Sequence, residues 1–327
     1  MDNRARFLKT LNFEKPDDRL PMIEWATWWD KTLDRWHSEG LPAGIGVESA
    51  GGYFGLDDLR QFWLRGKSDA FPAEGWITDA ASYRAAAKYL YPADAVEKLR
   101  EQLTVLTPAH ERGDIAVWIT LEGFFWFPRT LFGIENHLYA FYDEPALMHK
   151  INADLADYHL FLIEELCKFL TPDFMTFAED MSYNLGPMLS YDLFREFLLP
   201  YYRRVIPALK KRGVIPLIDT DGQVEPMIPW LLEAGIEGVL PLERQAGVDI
   251  LRIREKYPAF KMIGAYDKMV MNRGEEAMRR EFERLLPVMR GGGYIPSCDH
   301  QTPPGVSLAD YRLYRALLEE YCVKSVQ

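Results

Sequence analysis

Val214-Ile215-Pro216-Leu217-Ile218-Asp219-Thr220-Asp221-Gly222-Gln223 is the stretch on which the reading of this chain turns. Five apolar residues follow Gly213 and run into two carboxylates and Gly222, the signature of a short buried strand rather than a helix. Side chains alternate faces along a strand, so Asp219 and Asp221 are expected to point the same way at its carboxyl end. Parallel α/β folds carry their chemistry at that end. Three other apolar runs finish in the same manner: 174–177 leads to Glu179-Asp180, 238–240 to Glu243-Arg244, and 294–297 to Cys298-Asp299-His300. These tips are expected to meet in one site.

Outward from this stretch, strand and helix signals alternate. Ser190 is placed to cap a helix over 191–211 that Gly213 stops. Helix 224–233, strand 238–240, helix 249–256, strand 261–263, helix 275–289, strand 294–297 and helix 308–321 follow in turn. Upstream, the pattern predicts a helix over 4–13, a first strand over 19–25, a helix over 28–36 and helical structure over 78–106 capped at Asp94. A buried strand over 115–121, an aromatic loop over 122–128 and a long helix over 145–170 come next. The Gly- and aromatic-rich region 40–75 is expected to hide one more strand. Strand–helix units without hairpin signals imply a parallel sheet with right-handed crossovers. The expected fold is α/β: a single (β/α)₈ TIM-type barrel domain over 1–327, with N-terminal helical and loop elaborations. A doubly wound sheet is disfavoured because no GxGxxG follows the first strand.

Composition narrows the function. A net charge of −11 disfavours nucleic acid, whose binders present a basic face. An apolar content of 48% suits a large core, and no apolar run is long enough to span a membrane. Cys167, Cys298 and Cys322 are far apart and odd in number, which is no disulfide framework. The N-terminal residues lack the apolar core of a signal peptide, so a cytoplasmic location is expected.

The candidate catalytic residues are Asp219, Asp221, Glu179 and His300. Two carboxylates beside a dry pocket repel, so one should titrate high and serve as a general acid or a metal ligand. Cys298 and His300 alternate and can both face a metal or a proton acceptor. Neither CxxC nor HExxH is present. Trp25, Trp28 and Phe125 are candidates to hold a flat ligand, although aromatics at these positions read first as core. Glu24, Tyr183, Asn184 and Glu243 are candidate polar contacts to substrate.

Ser190-Tyr191-Asp192-Leu193-Phe194-Arg195-Glu196-Phe197-Leu198-Leu199-Pro200, Asp219-Thr220-Asp221-Gly222 and Gly293-Tyr294-Ile295-Pro296-Ser297-Cys298 carry a family likeness. On these stretches the chain resembles the uroporphyrinogen decarboxylase superfamily, which also holds cobalamin-linked methyltransferases. The resemblance implies a (β/α)₈ barrel. True decarboxylases of this family carry an arginine-rich loop after the first strand; here Glu24-Trp25-Ala26-Thr27-Trp28-Trp29 stands there, and Glu24 would repel a carboxylated porphyrinogen. The family's zinc methyltransferases have His-x-Cys-Gly at the central tip; Asp219-Thr220-Asp221-Gly222 replaces it with hard oxygen donors. What the resemblance implies is a methyltransferase moving a methyl group between a small aromatic methyl ether or amine and a corrinoid on a partner protein. Zinc on Asp219, Asp221 and Cys298 and a metal-free acid are both admissible. The alternatives are a decarboxylase or lyase acting on a smaller acid, and a non-catalytic ligand-binding barrel; homo-oligomers are left open.

Overall fold

A computed structural model describes residues 1–327. Seven parallel strands form one sheet in chain order: β1 (Leu59–Leu64), β2 (Ala116–Glu122), β3 (Phe174–Ala178), β4 (Ile215–Asp219), β5 (Gly238–Leu240), β6 (Lys261–Tyr266) and β7 (Tyr294–Cys298). Every neighbouring pair is parallel, and helices cover the outer face. The decisive stretch is β4, held between β3 and β5 with Asp219 opposite Ala178 and Leu240.

The sheet is curled, and its two faces have separate cores. Trp118, Phe174, Ile215, Leu217, Leu240, Ile263 and Ile295 pack together on the inner face with Ile23. Phe7 and Leu11, from the first helix (Asn3–Leu11), join the same inner core. A much larger core fills the space between the outer face and the helices. Strict alternation along each strand therefore decides which side chains look inward.

The strand expected over 19–25 does not form. Pro21 has no N–H to give, and the remaining donors go elsewhere. Leu20 donates to the Cys322 carbonyl, Met22 to the Asp57 carboxylate (2.9 Å) and Trp25 to the Ser297 hydroxyl (3.2 Å). The segment touches both edges, since Asp57 donates to the Met22 carbonyl beside β1, but it builds no ladder. The expected eighth strand is replaced by this irregular seam.

Other departures are local. The strand hidden in 40–75 is β1. Helical structure over 78–106 breaks up: Asp79, not Asp94, caps Ala80–Ala86, and the next α-helix is Arg100–Glu111. The loop over 122–128 turns directly into the helix Trp126–Phe132. The helix over 191–211 is two, Tyr191–Phe197 and Leu199–Lys210, divided just before Pro200. No helix is long and apolar enough to cross a membrane.

Candidate active site at the strand tips

Ile215 and Leu217 belong to the inner core, so alternation turns Asp219 inward as well. Asp221 follows two residues on, and Gly222 makes its turn possible. Gly222 has φ +79°, and a Cβ there would stand 2.6 Å from the Tyr183 backbone. Its N–H donates to Glu243 Oε2 at 3.0 Å, which brings the tip of β5 against the tip of β4. His300, beyond β7, places Nε2 3.8 Å from Asp221 Oδ2. One donor atom each from Asp221, Glu243 and His300 lie within 4.8 Å of one another.

Asp299 and Lys268 hold this group. The buried Asp299 carboxylate accepts the backbone N–H of Arg244 at 2.9 Å and of Lys268 at 3.1 Å. Lys268 Nζ stands 3.4 Å from Asp299 and 3.7 Å from Glu243. Three non-glycine residues with left-handed backbones sit at the tips: Asp180 (φ +39°), Leu242 (φ +67°) and Ala265 (φ +67°). Such conformations cost on the order of 1–3 kcal/mol each and concentrate where function fixes the backbone.

Charge and burial set the protonation states. Burial, reinforced by Asp180 and Asp221, drives Asp219 well above the usual carboxylate range. Asp221 is pushed to about 7 by burial and by Asp180, Glu243 and Asp299, with Lys268 opposing. Asp180 is raised by burial against the pull of Arg129. His300 is lowered by burial and Lys268, so it is neutral at pH 7. Its Nδ1 accepts the Gln301 N–H at 2.8 Å, which leaves the ring proton on Nε2, toward Asp221. The site thus sets the raised carboxyls of Asp180, Asp219 and Asp221 next to a neutral imidazole.

Not every expected residue joins it. Cys298 lies three residues beyond the inward Ile295, hence on the opposite face, where it packs in the outer core with Tyr266, Tyr294 and Tyr311. Burial, with Glu24 and Asp299 nearby, keeps its thiol protonated. Asp219 and Cys298 therefore share no cavity, and the ligand set Asp219, Asp221 and Cys298 is not assembled; Asp221, Glu243 and His300 are. Glu179 also faces the helices. Its carboxylate accepts the backbone N–H groups of Phe124 (2.7 Å), Phe125 (2.8 Å) and Trp126 (3.0 Å) and the Tyr202 hydroxyl. Burial raises it to about 7 in spite of those donors. Gly123 leaves the room: a Cβ would lie 2.0 Å from the Glu179 carboxyl carbon. Glu179 is an anchor for the turn after β2 rather than a group facing the cavity.

Trp25 does belong to the site. Its indole N–H donates to the Cys298 carbonyl at 2.9 Å, and its ring meets His300 edge-on, centroids 5.7 Å apart. Trp28 packs among Trp36, Phe54 and Tyr311, and Phe125 is fully buried against His137 and Phe141. Both are core. Tyr183 and Asn184 stand exposed on a short hairpin, Ser182–Tyr183 with Gly186–Pro187. Glu24 is tied down by Ser297 Oγ (2.9 Å), the Cys298 N–H (3.1 Å) and Tyr311 (3.3 Å). Burial lifts it to about 7.

One inward carboxylate escaped the sequence reading. Glu122 ends β2 on the face of Trp118, is 1% exposed, and has an oxygen with no partner. Its signal was the one that marked Asp219, an acid closing an apolar run; the aromatics after it drew the boundary one residue early.

The zinc site of the thiol-activating kind does not fit this chain, because the thiol lies across the sheet. Two carboxylates and one imidazole are instead a donor set for a single hard divalent cation.

The uroporphyrinogen decarboxylase (URO-D) family matches residues 92–321. Among solved structures, a methyltransferase from Methanosarcina mazei superposes with a TM-score of 0.70 at 14% identity, covering 98% of each chain. A hyperthermophilic beta-glucosidase from Pyrococcus furiosus gives a TM-score of 0.43 at 11% identity, over 95% of this chain and 96% of its own. No curated protein matches. With the family spanning most of the chain and the fold shared end to end with the first of these structures, this protein belongs to the uroporphyrinogen decarboxylase family.

Proposed function

We propose that the protein is a methyltransferase that moves a methyl group between a small aromatic methyl ether or amine and a corrinoid carried on a separate protein. The observation that supports it is the meeting of Asp221, Glu243 and His300 at the tip of the strand that carries Asp219, with the Asp219 carboxyl raised well above its usual range and that of Asp221 raised to about 7, both chiefly by burial. A methyl ether or amine is a poor methyl donor until its leaving atom is protonated or metal-bound. General-acid assistance contributes roughly 10²–10⁴-fold. In this reading Asp221 gives its proton to the leaving oxygen or nitrogen. Neutral His300, through Nε2–H, steadies the carboxylate that remains, and Asp219 supplies a further proton. Glu243 holds the turn through Gly222, and Trp25 fixes the imidazole plane. Were a divalent ion bound, Asp221, Glu243 and His300 would hold it, and it would supply Lewis-acid polarisation of the same leaving atom. The corrinoid protein would dock on the open face of the strand tips.

The test is corrinoid-dependent demethylation, followed by the cobalt absorption change on methylation. Turnover of a methyl ether or amine that Asp221→Asn lowers by two or more orders of magnitude supports the proposal. Carbon dioxide release from a small acid with no methyl transfer would move the assignment to a decarboxylase. Ligand binding without turnover of either kind would leave a binding barrel.

A further inference from the structure

Two cations border the acid cluster, and only one of them is committed. Lys268 is held by Asp299 and Glu243. Arg129, on the helix Trp126–Phe132, is half-buried, with its guanidinium carbon 5.1 Å from the centre of the Trp126 ring, and no carboxylate stands within ion-pairing distance of it. Of its five N–H donors only one, on Nη1, finds a protein acceptor, the Asp180 carbonyl at 3.2 Å. The left-handed backbone of Asp180, φ +39°, turns that carbonyl to Arg129, while the Asp180 carboxylate goes to the acid side, where it raises both Asp219 and Asp221. The guanidinium is thus denied its nearest carboxylate by a strained residue. The Met181 N–H donates to the Thr220 hydroxyl at 3.1 Å, which ties the tip of β3 to that of β4 and sets Arg129 one strand away from Asp221.

Two further cations follow β1. Arg65 lies 4.4 Å over the Trp63 ring and Lys67 is half-buried; the acids that act on them, Glu122 and Glu74, stay beyond ion-pairing distance. Gly66 lies between the two and abuts the helix that carries Arg129, since a Cβ there would stand 2.6 Å from the Phe127 ring. The mouth is therefore polarised, with unpaired cations toward β1 and β2 and acids toward β4 and β5. A half-buried guanidinium with open donors is a fork for a carboxylate, which it holds through two parallel N–H···O bonds.

We infer that Arg129 is the specificity-determining residue of the site, and that it grips a carboxylate carried by the small substrate itself. The inference rests on the methyl-transfer reading for the reaction, not for the binding. A carboxylate held at Arg129 and disfavoured among the acids of β4 and β5 fixes the direction of the substrate, with its ether oxygen toward Asp221. That oxygen has the lone pair that accepts the Asp221 proton. The donor class is thereby narrowed to a methoxylated aromatic acid. A single carboxylate, unlike the several of a porphyrinogen, stays clear of Glu24, which is bound to Ser297 and Cys298 at the tip of β7.

The test is calorimetric titration with 4-methoxybenzoate and with its uncharged isostere, 4-methoxybenzamide. The benzoate is expected to bind at least about tenfold tighter, the order of one charge-assisted bidentate contact. Arg129→Gln should erase that preference while leaving the affinity for the amide within about threefold, which also reports that the variant is folded; Arg129→Lys, a point charge without the fork, should keep part of it. In turnover, Arg129→Gln should raise KM for the benzoate about tenfold or more with kcat little changed. No binding of the benzoate, equal affinity for the two probes, or a preference that survives Arg129→Gln overturns the inference. A benzoate preference that depends on Arg129, without methyl transfer, refutes the proposed activity alone. Methyl transfer from the amide as efficient as from the benzoate refutes this inference and leaves the activity standing.

Discussion

Asp221 Oδ2 and His300 Nε2 face each other at 3.8 Å across the tips of two strands separated by two others. Nearly eighty residues of chain lie between them, and only the closing of the sheet brings them together. Asp221→Asn removes the proton without changing the shape, so turnover should fall about 10²-fold or more while folding is retained. His300→Gln, which keeps a donor near the same place, should lose less. Methyl-transfer rates beside thermal melts of both variants check this; comparable rates in Asp221→Asn and wild type would remove Asp221 from the chemistry.

Cys298 lies on the opposite face, so Cys298→Ala should leave turnover within a few-fold of wild type. The cost should be to stability, about 1–2 kcal/mol for the sulfur lost from a filled core. Urea unfolding and the demethylation assay together give the answer. A thousandfold loss of rate at unchanged stability would restore the thiol to the site.

Glu179 should behave in the opposite way. Its removal in Glu179→Ala leaves three buried N–H groups and the Tyr202 hydroxyl without their acceptor. That should cost about 3–5 kcal/mol and loosen the turn after β2. The denaturation midpoint is the measure, and a variant as stable as wild type would show that the turn is held by other means.

Glu24 gives the protein a pH dependence whose sign is fixed by its raised value, about 7 against 4.5 unfolded. Between those values the folded state holds the extra proton, so stability declines as pH rises through the window and is lowest above 7. A shift of this size corresponds to about 3 kcal/mol. Glu24→Gln should therefore raise the melting temperature at pH 8 and change it little at pH 4.5. Melts across that range decide it; the same gain at both ends would mean that ionisation is not the cause.

If Asp221, Glu243 and His300 take a divalent ion, Mn²⁺ should bind at one site per chain, seen as loss of its free-ion electron paramagnetic resonance signal. Glu243→Gln should weaken that binding at least tenfold, since hard cations depend on ligand charge. Binding that Glu243→Gln leaves unaltered would place the ion elsewhere.

The sheet was readable because each buried parallel strand is a short apolar run closed by a polar residue, and β2, β3, β4, β5, β6 and β7 all have that form. Segment 19–25 has it too, yet fails to pair, because Asp57 and Ser297 outbid the neighbouring backbones for its amides. Those competitors are distant in sequence, and no local pattern shows them. The same holds for the site. Asp219, Asp221, Glu243 and His300 were legible as acids and a base at strand ends. The face of Cys298 was not, since it depends on where β7 begins its alternation, a matter of one residue. Glu179 looked like Asp219 in every local respect; only the N–H groups of Phe124, Phe125 and Trp126, in the turn that leads into the helix Trp126–Phe132, separate the two roles.

The left-handed backbones of Asp180, Leu242 and Ala265 have a bearing on engineering. Glycine at any of them would relieve strain, and a stability screen would select it. All three lie where β3, β5 and β6 hand over to the loops that aim the acids. Thermostable variants gathered without an activity filter would therefore accumulate glycines around the rim, and would be sturdier molecules with a blurred reaction centre.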